Sequence, residues 1–530
     1  MHCFLQNTRQ SLQNLLRADC TLPLACLILG LCSAEFIAYA FYYIPLPIDL
    51  INPEGALAYS IDGLLNGTRA LYRDFRIPPY STTPYTPLFY LISSFLGLFT
   101  DHSINAIYTC GRVLCFFSSI MSAFFASRLF IISGGDRKFQ AVALMLPFTI
   151  LVLRPWGFVL RPDMLALALS LMGALLFFSE HRFRIALAAL VLAFAWWSKQ
   201  SYISAAAAII CMLFTQQRWR ECMQFIGVYL ASLLLLGGCT QIASHGLFFP
   251  NIFIANLTSL QTSRWGEMLI DGLLYGGATV EWLGAAGIAL LFKQKIGNSR
   301  LRFLLFYAYI SFALNIAGCM KEGSDYNYWL EPLFVLSVFA SWGFSLLYQY
   351  NKWRGPLVLL MAASIGLPLW GSPTHFDRGM WENQRLSPNA AQAEIDTISS
   401  LQGKVLILNE GLALRSEKPL FLVDAFNARY LEELDQINTA TLANQINHKT
   451  FLLLVFDHWR QPNESWWWPR QILQAIRSNY EPCKDLFQLS LWCPKKANSR
   501  LKPKRSFLYK KIHRHAKSNP VMPSQQASLN

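Results

Sequence analysis

Long apolar runs separated by short polar connections make up most of residues 21–371. A helix needs about 20 apolar residues to cross the ~30 Å hydrocarbon core of a bilayer, and most of the runs approach that length. The pattern therefore predicts an α-helical polytopic membrane protein with about 11 spans. The predicted spans are residues 21–47, 104–132, 139–158, 163–180, 185–198, 201–215, 222–243, 271–292, 303–319, 330–349 and 356–371.

One further apolar run, residues 85–100, is too short to be an ordinary span, with about 15 apolar residues. If it lies along the membrane surface or re-enters, every basic cluster between spans falls on the side of the N-terminus, as the positive-inside rule requires. Counting it as a span would reverse all of these clusters, so an interfacial segment is predicted. The clusters are Arg128/Arg137/Lys138, Arg182/Arg184, Arg218/Arg220, Lys293/Lys295/Arg300/Arg302 and Lys352/Arg354.

This topology places several ionisable residues on the outer face of the membrane. The first outer loop, residues 48–103, carries the carboxylates Asp49, Glu54, Asp62 and Asp74 among aromatic residues and prolines. The other polar outer connections are Arg161-Pro162-Asp163, Lys199-Gln200, residues 244–270 and residues 321–332. Ionisable residues at span ends are costly to hold near lipid and more often mark a site than not. The sequence therefore predicts a single polar, extracytoplasmic site.

The pattern changes after residue 371. Strand-like apolar runs at 404–409, 419–423 and 451–456 alternate with helix-compatible stretches such as 427–445. Residues 372–494 are therefore predicted to form a small α/β domain, placed outside by the odd number of spans. Residues 1–20 are predicted to be cytoplasmic, and the basic segment 495–530 is predicted to be a disordered tail.

Composition agrees with a membrane protein. Hydrophobic residues make up 54% of the 530 residues, charged residues only 14%, and the mean hydropathy is +0.31. The net charge of +14 comes from short clusters between apolar runs and from the C-terminal end, without a basic aromatic groove, so no nucleic-acid partner is expected. Membrane lipids are the expected partners of these charges. The topology suits a bacterial inner (plasma) membrane with a site facing the periplasm, and an endoplasmic reticulum membrane with lumenal chemistry obeys the same rules.

The 12 cysteines and 9 histidines show no spacing typical of a metal site. No cofactor is predicted, and the sequence does not decide whether a divalent cation is required. Cys483 and Cys493 are the cysteines in a polar, non-membrane context. They pair if that region is extracytoplasmic and otherwise remain two free thiols.

Several short motifs occur in order on the predicted outer face. They are NPEGALAYSIDGLLNG, LYRDF and YTPLFYL in the first outer loop, Gly111-Arg112, Arg161-Pro162-Asp163, Lys199-Gln200 and GSDYNYWLEP in the loop that ends at Pro332. Together they resemble the GT-C superfamily of glycosyltransferases, and most closely the bacterial branch similar to protein mannosyltransferases and the lipid A aminoarabinose transferase. The resemblance covers about residues 20–335, and the C-terminal domain resembles the soluble tails of many members.

The resemblance implies transfer of a sugar from a polyprenyl-phosphate-linked donor to a glycan, lipid or protein acceptor outside the membrane, with a first-loop carboxylate as base. Glu54 fits best as that carboxylate. The family usually has an acidic pair here, whereas this chain has Pro53-Glu54-Gly55 and an isolated Asp49. The choice between Glu54 and Asp49 therefore stays open. Asp74, in Leu-Tyr-Arg-Asp, matches a second family acid.

Displacement of polyprenyl phosphate from an anomeric carbon requires a base for the acceptor hydroxyl and cations for the departing phosphate. Arg161, Lys199 and Lys321, all at outer span ends, are the predicted phosphate ligands. The predicted substrate-binding residues are Asp163, Gln200, Tyr59, Asn327, Tyr328 and Glu331.

Structural explanations compete with these roles. Arg161 and Asp163 could pair with each other, Lys199 could extend to the membrane interface, and Lys321 could pair with Glu331. At the level of the whole chain, a transporter or flippase is one alternative, although neither clear half-repeats nor charge pairs within spans are apparent. A non-catalytic subunit of a cell-surface polysaccharide assembly is the other.

Overall fold

The computed structural model describes residues 20–260, 265–266, 268–270, 272, 277–293, 298–369, 388–457, 461–462, 467–486 and 489–495. The predictions for residues 1–19 and 496–530 lie outside the described residues. Within the described chain, five segments are helical, long and apolar enough to cross a membrane. They are Thr21–Tyr43, Ile104–Ile132, Trp219–Ala243, Ser299–Cys319 and Tyr326–Tyr348.

The N-terminal part, up to residue 369, is helical. Its helices are α1 (Thr21–Tyr43), α2 (Glu54–Leu65), α3 (Leu88–Gly97), α4 (Ile104–Ile132), α5 (Gln140–Met145), α6 (Leu153–Trp156), α7 (Asp163–Phe177), α8 (Arg184–Ser198), α9 (Ser204–Thr215), α10 (Trp219–Ala243), α11 (Phe248–Ile252), α12 (Ala278–Lys293), α13 (Ser299–Cys319), α14 (Leu330–Tyr348) and α15 (Asn351–Leu369).

The predicted spans correspond to helices with one exception, residues 139–158. This segment is broken into α5, a 3-10 turn at Leu146–Thr149 and the short helix α6. Pro147 and Pro155 explain the breaks, because proline has no N–H to donate and its ring hinders a continuous helix. The short run 85–100 contains only the 10-residue helix α3. At 1.5 Å per residue, such a helix is about 15 Å long, half the thickness of the hydrocarbon core.

Helix α14 is the centre of the helical part, since 94% of its most apolar window is buried. It packs on α12 through glycines. A Cβ atom at Gly287 would clash with the Phe339 carbonyl oxygen, and one at Gly343 would clash with the Leu283 carbonyl oxygen. Small residues that let two backbones approach this closely are typical of helix pairs in membranes. The contact fixes the helix whose first turn carries Glu331.

The C-terminal part is an α/β domain with a four-stranded sheet in the order β1-β2-β4-β3. Strand β1 is parallel to β2, and the other two pairs are antiparallel. The strands are β1 (Val405–Ile407), β2 (Leu453–Asp457), β3 (Tyr480–Leu486) and β4 (Leu489–Pro494). The helices are α16 (Pro388–Ser399), α17 (Glu410–Arg415), α18 (Ala425–Glu433), α19 (Ala440–Asn447) and α20 (Arg470–Asn479).

Both faces of strands β1 and β2 are buried. Alternate side chains of a strand point to opposite faces, and successive residues of β1 and β2 accordingly enter different apolar cores. Leu406, Leu454 and Phe456 pack with α18, α19 and α20, whereas Val405, Ile407, Leu453 and Val455 pack with α16 and α17. Cys483 of β3 and Cys493 of β4 form a disulfide, the first of the two alternatives left open by the sequence.

The prediction of a strand at 419–423 is wrong. This segment has no regular structure and follows the first outer loop instead, with the Val423 N–H donating to the Pro79 carbonyl oxygen at 2.9 Å. Val423 is fully buried against Ala56 and Tyr59 of α2. The apolar residues of the run are therefore explained by docking between the two parts of the chain, not by a place in the sheet.

Candidate functional site

Four of the predicted site residues meet where α7 and α8 approach the start of α14. Asp163 opens α7, Lys199 directly follows α8, and Asn327 lies just before α14. Asp163 Oδ1 accepts hydrogen bonds from Lys199 Nζ and from Asn327 Nδ2, the latter at 2.7 Å. Arg161 Nε lies 3.6 Å from Asp163 Oδ2. Lys199 thus pairs with Asp163 instead of extending to the membrane interface, and Arg161 and Asp163 are ion-paired.

The ion-paired atoms of Arg161 and Asp163 retain hydrogen-bonding capacity. Asp163 Oδ2 and Arg161 Nε are buried and have no hydrogen-bond partner among the described residues. The other nitrogens of Arg161 hold the first outer loop, since Nη1 donates to the Asn52 carbonyl oxygen at 3.2 Å and Nη2 to the Tyr85 hydroxyl at 2.5 Å. Buried polar groups normally have partners, so unpaired ones indicate a place for a ligand.

A cavity of about 200 Å³ opens beside this cluster. Its lining includes Lys199, Tyr202, Asn315, Asn327, Tyr328 and Glu331. The ammonium group of Lys199 lies 5.2 Å from the centre of the Tyr328 ring. Concave sites with aromatic walls and a few convergent polar groups are the usual form of small-molecule sites.

Glu331 is held in this cavity wall by hydroxyl groups. Its Oε1 accepts from Ser170 and Tyr307, both at 2.9 Å, and its Oε2 accepts from Ser204 at 2.8 Å. The ion pair with Lys321 that the sequence suggested is not among those of the described residues. Three hydroxyl donors offset part of the cost of burying a carboxylate, which fixes its orientation in the wall.

Lys321 is the third predicted phosphate ligand and follows α13. Its backbone pairs with Leu260 in an isolated β-bridge. Burial and the nearby Lys199 cation lower the pKa of the Lys321 ammonium group from 10.5 to about 8. A cation under these conditions gains most from an anion, because a phosphate would relieve both its desolvation and its repulsion from Lys199.

Other predicted residues lie away from this cluster or face another partner. Gln200 donates from Nε2 to the Pro84 carbonyl oxygen at 2.7 Å. Tyr59 accepts a hydrogen bond from Arg73 at 2.7 Å and packs against the C-terminal domain. Asp74 pairs with Arg76 at 2.8 Å on the surface, and this hydrogen bond lowers the pKa of Asp74. The structure therefore does not bring Tyr59 or Asp74 to the cavity.

Glu54, the first candidate for the base, is fully buried with 0% of its side chain exposed. Its two oxygens accept four hydrogen bonds: from Arg112 Nε at 3.0 Å, Arg112 Nη2 at 2.7 Å, the Leu50 N–H at 2.6 Å and the Leu160 N–H at 2.7 Å. Arg112 Nη1 also donates to the carbonyl oxygens of Tyr43, Ile44 and Leu46. These are the contacts of a residue that joins α1, the first loop and α4.

Asp49, the other candidate, is 8% exposed and lies against the C-terminal domain. Its Oδ1 accepts from the Tyr108 hydroxyl at 2.5 Å and from Arg415 Nη1 at 3.2 Å. The guanidinium of Arg415 lies 3.9 Å from the centre of the Tyr108 ring. Asp49 therefore joins the first loop to α17 and is the less enclosed of the two acids.

Sequence reasoning did not select Tyr85, Tyr202 or Asn315. Tyr85 bonds Arg161, while Tyr202 and Asn315 line the cavity. A signal existed for Asn315, because an amide within an apolar helix is the kind of residue that marks a site in membranes. In the part of the chain that is described, no group of three or more His, Cys, Asp or Glu side chains is arranged to hold a metal ion.

Known structures resemble most of the chain. ArnT from Cupriavidus metallidurans in the apo state matches with a TM-score of 0.60 and 10% sequence identity, covering 87% of this chain and 97% of ArnT. ArnT bound to undecaprenyl phosphate matches with a TM-score of 0.53 and 11% identity, covering 89% and 99%. The fold is that of the GT-C glycosyltransferases. At the level of the fold, the resemblance and the helical membrane architecture expected from the sequence are thereby confirmed.

A second protein with the GT-C fold shows the same likeness. The Archaeoglobus fulgidus oligosaccharyltransferase, tethered to an acceptor peptide, has a TM-score of 0.51 and 11% identity, covering 86% of this chain and 72% of the oligosaccharyltransferase. No protein-family model matches the sequence, and no curated protein matches it. The GT-C fold is therefore evident from the structure, whereas identities of this size leave the reaction to be argued from the site.

Proposed function

We propose that the protein is a membrane glycosyltransferase that moves a sugar from a polyprenyl-phosphate donor to an acceptor hydroxyl or amide outside the membrane. The observation that carries the proposal is the meeting of Arg161 and Lys199 at Asp163 beside the cavity, with Lys321 near enough to Lys199 for the two charges to repel each other. We call Arg161, Lys199 and Lys321 the cation cluster. A singly charged phosphodiester bound here would be attracted by a guanidinium group and two ammonium groups, which are strong charge-assisted donors.

The chemistry follows from this placement. The bond between the sugar C1 and the phosphate oxygen breaks, and its electron pair remains on the polyprenyl phosphate. A new bond forms between C1 and the acceptor heteroatom, whose proton passes to a carboxylate. The cation cluster stabilises the charge that develops on the leaving phosphate, which is the larger electrostatic demand of the reaction.

Asp163 and Asp49 are the proposed candidates for the base. Asp163 Oδ2 lies 3.6 Å from Arg161 Nε and accepts no hydrogen bond from the described residues, so it retains the capacity to take a proton from the acceptor. Asp49 is buried, with 8% of it exposed, but it is less enclosed than Glu54. Glu54 is engaged by four protein donors, and we propose a structural role for it that supports the loop bearing Asp49.

We place the site on the extracytoplasmic face, at the periplasmic side of a bacterial inner membrane. Two features support this placement. The positive-inside bias of the connecting loops favours a cytoplasmic position for the opposite ends of the helices. The Cys483–Cys493 disulfide lies in the C-terminal domain on the same side as the site, and disulfides persist in oxidising compartments.

The acceptor is a glycan, lipid or protein. Proteins of the same fold have been captured with relevant ligands: ArnT with undecaprenyl phosphate and the A. fulgidus oligosaccharyltransferase with an acceptor peptide. These ligands support a lipid-linked donor and a glycan or protein acceptor for this chain.

Transfer from radiolabelled polyprenyl-phosphate sugars, in membranes containing the protein, tests the proposal. The wild type should give a labelled product with at least one hexose or pentose donor. Lys321→Ala and Asp163→Asn should abolish or strongly reduce it, whereas Arg76→Ala, which alters only a surface pair, should not. Absence of product across the sugars, with folded protein and endogenous acceptors present, would favour a carrier or a non-catalytic subunit.

A further inference from the structure

The cavity beside the cation cluster contains a buried amide without a partner. Asn315 lies near the end of α13, is only 2% exposed and lines the cavity. Its Oδ1 accepts from the Cys319 thiol at 3.4 Å, while its Nδ2 has no hydrogen-bond partner among the described residues. An N–H group left unpaired in a buried site carries a desolvation cost that a ligand acceptor can remove.

An acceptor and two aromatic rings accompany this donor. Glu331 Oε2 accepts from Ser204, and a carboxylate oxygen has capacity for a second donor. Tyr202 and Tyr328 line the same cavity, and aromatic faces pack well against the C–H groups of a sugar ring. A donor, an acceptor and a stacking surface are what a polyhydroxylated ring requires.

The volume of the cavity and the charges of its lining residues limit the kinds of ligand that fit. At about 30 Å³ for each water, a cavity of about 200 Å³ holds six or seven waters, roughly the space of one monosaccharide. Among the described lining residues, Lys199 is already ion-paired with Asp163 and Glu331 is already bound by three hydroxyl groups, so neither requires a charged ligand. A neutral sugar fits this lining, whereas a charged one would leave one of the two side chains facing a like charge.

We propose that this cavity binds the sugar of the donor, that the sugar is a single neutral hexose or pentose, and that Asn315 Nδ2 donates a hydrogen bond to one of its oxygens. The inference rests on the proposed function. Lys199 borders both the cavity and the cation cluster, so a sugar in the cavity places its C1-linked phosphate at the cations. Asn315 then distinguishes a sugar with an oxygen at the matching position from one that lacks it.

Two binding measurements on purified protein in lipid nanodiscs test this. One uses polyprenyl phosphate without a sugar, and the other uses the polyprenyl-phosphate monosaccharide that the wild type transfers. Asn315→Leu, which keeps the volume but removes the donor, should weaken binding of the sugar-bearing lipid about tenfold and leave the sugar-free lipid unchanged. Lys321→Ala should weaken both, and Asn66→Leu, at an exposed asparagine, should weaken neither.

Each possible result of these measurements either supports or overturns the proposal. Equal affinities of Asn315→Leu and wild type for the sugar-bearing lipid overturn the role of Asn315, even if the wild type transfers sugar. Equal weakening of both lipids assigns Asn315 a structural role and also overturns it. Transfer from a polyprenyl-phosphate disaccharide at the same KM as from the monosaccharide overturns the single-sugar cavity. A wild type that neither binds nor transfers overturns the proposed function together with this inference.

Discussion

Arg429 of the C-terminal domain donates a hydrogen bond of 2.9 Å to Glu322 in the loop that follows α13, and both side chains are buried. Glu322 is also held by Ser259, whose hydroxyl donates to its Oε2 at 2.5 Å. The next residue, Gly323, has φ +80° and lies against the Phe426 ring, so a side chain there would be strained and would clash. The preceding residue is Lys321, so the C-terminal domain holds the loop that carries a proposed phosphate ligand.

Arg429→Met should therefore raise the KM for the lipid-linked donor and lower stability. Removing one partner of a buried ion pair leaves the other charge uncompensated, at a cost of about 3–5 kcal/mol. Donor KM and thermal unfolding in detergent are the measurements. Arg470→Met is the matched control, because Arg470 belongs to the same domain but is 83% exposed and 4.0 Å from Glu433. An unchanged KM in Arg429→Met would show that the domain does not position Lys321.

Glu54→Gln should lose stability whatever its effect on transfer. Its carboxylate is fully buried against Arg112, and breaking such a pair costs about 3–5 kcal/mol. The unfolding midpoint and the amount of folded protein in membranes are the measurements, with Asp74→Asn as control. That surface pair should contribute less than about 1 kcal/mol. A Glu54→Gln protein that is inactive and as stable as wild type would return Glu54 to the role of base.

Donor binding should weaken as pH rises through about 8, the pKa of Lys321. Below this pH the ammonium group is charged and attracts the donor phosphodiester, which keeps its single negative charge throughout the range. Above it, one cation is lost, and the KM should rise by about tenfold or more, as expected for a charged hydrogen bond. Lys321→Arg should remove the rise and Lys321→Met should show the weaker binding at every pH.

The lowered pKa of Lys321 also affects the stability of the protein when no ligand is bound. Folding disfavours the protonated form of Lys321, since its pKa falls from 10.5 to about 8. The contribution of this group to stability should therefore increase as pH rises from about 8 towards 10.5. Lys321→Met should remove this part of the pH dependence in thermal unfolding. The same pH dependence in wild type and Lys321→Met would assign it to other groups.

Cys483 and Cys493 should resist a membrane-impermeant maleimide in intact cells until a reductant is added. After reduction both should react if the C-terminal domain is outside the cytoplasmic membrane. Closing a short loop by a disulfide stabilises a domain by about 2–3 kcal/mol in the chain-entropy account, so Cys483→Ser should also lower its unfolding temperature. Labelling without reductant would contradict the pairing, and labelling only after cell lysis would contradict the outer placement.

The part of the site that sequence predicts well is the part set by topology. Arg161 and Asp163 share one connection, and Lys199 and Asn327 belong to two others, yet each lies at a span end on one face, so the order of spans alone brings them together. The fold class follows from the same pattern, because span length and positive-charge bias are strong constraints in a bilayer.

The features of the site that the sequence did not reveal depend on contacts between residues that are far apart along the chain. Glu54 looks like a candidate base until Arg112, 58 positions later, occupies its carboxylate. The role proposed for Asn315 depends on a cavity that α13 forms with the connection before α9 and with the start of α14. The break at 139–158 had a local signal in Pro147 and Pro155, but the high hydropathy of the segment outweighed it in the interpretation.

Arg112 donates hydrogen bonds to the carbonyl oxygens at the end of α1 and to that of Ile48. It also binds the carboxylate of Glu54. The last carbonyl groups of a helix have no partner within the helix, and Arg112 supplies donors to those at the end of α1. The start of the first loop therefore has its shape before any substrate arrives. Such preorganisation raises affinity, because binding free energy is not consumed in ordering the loop.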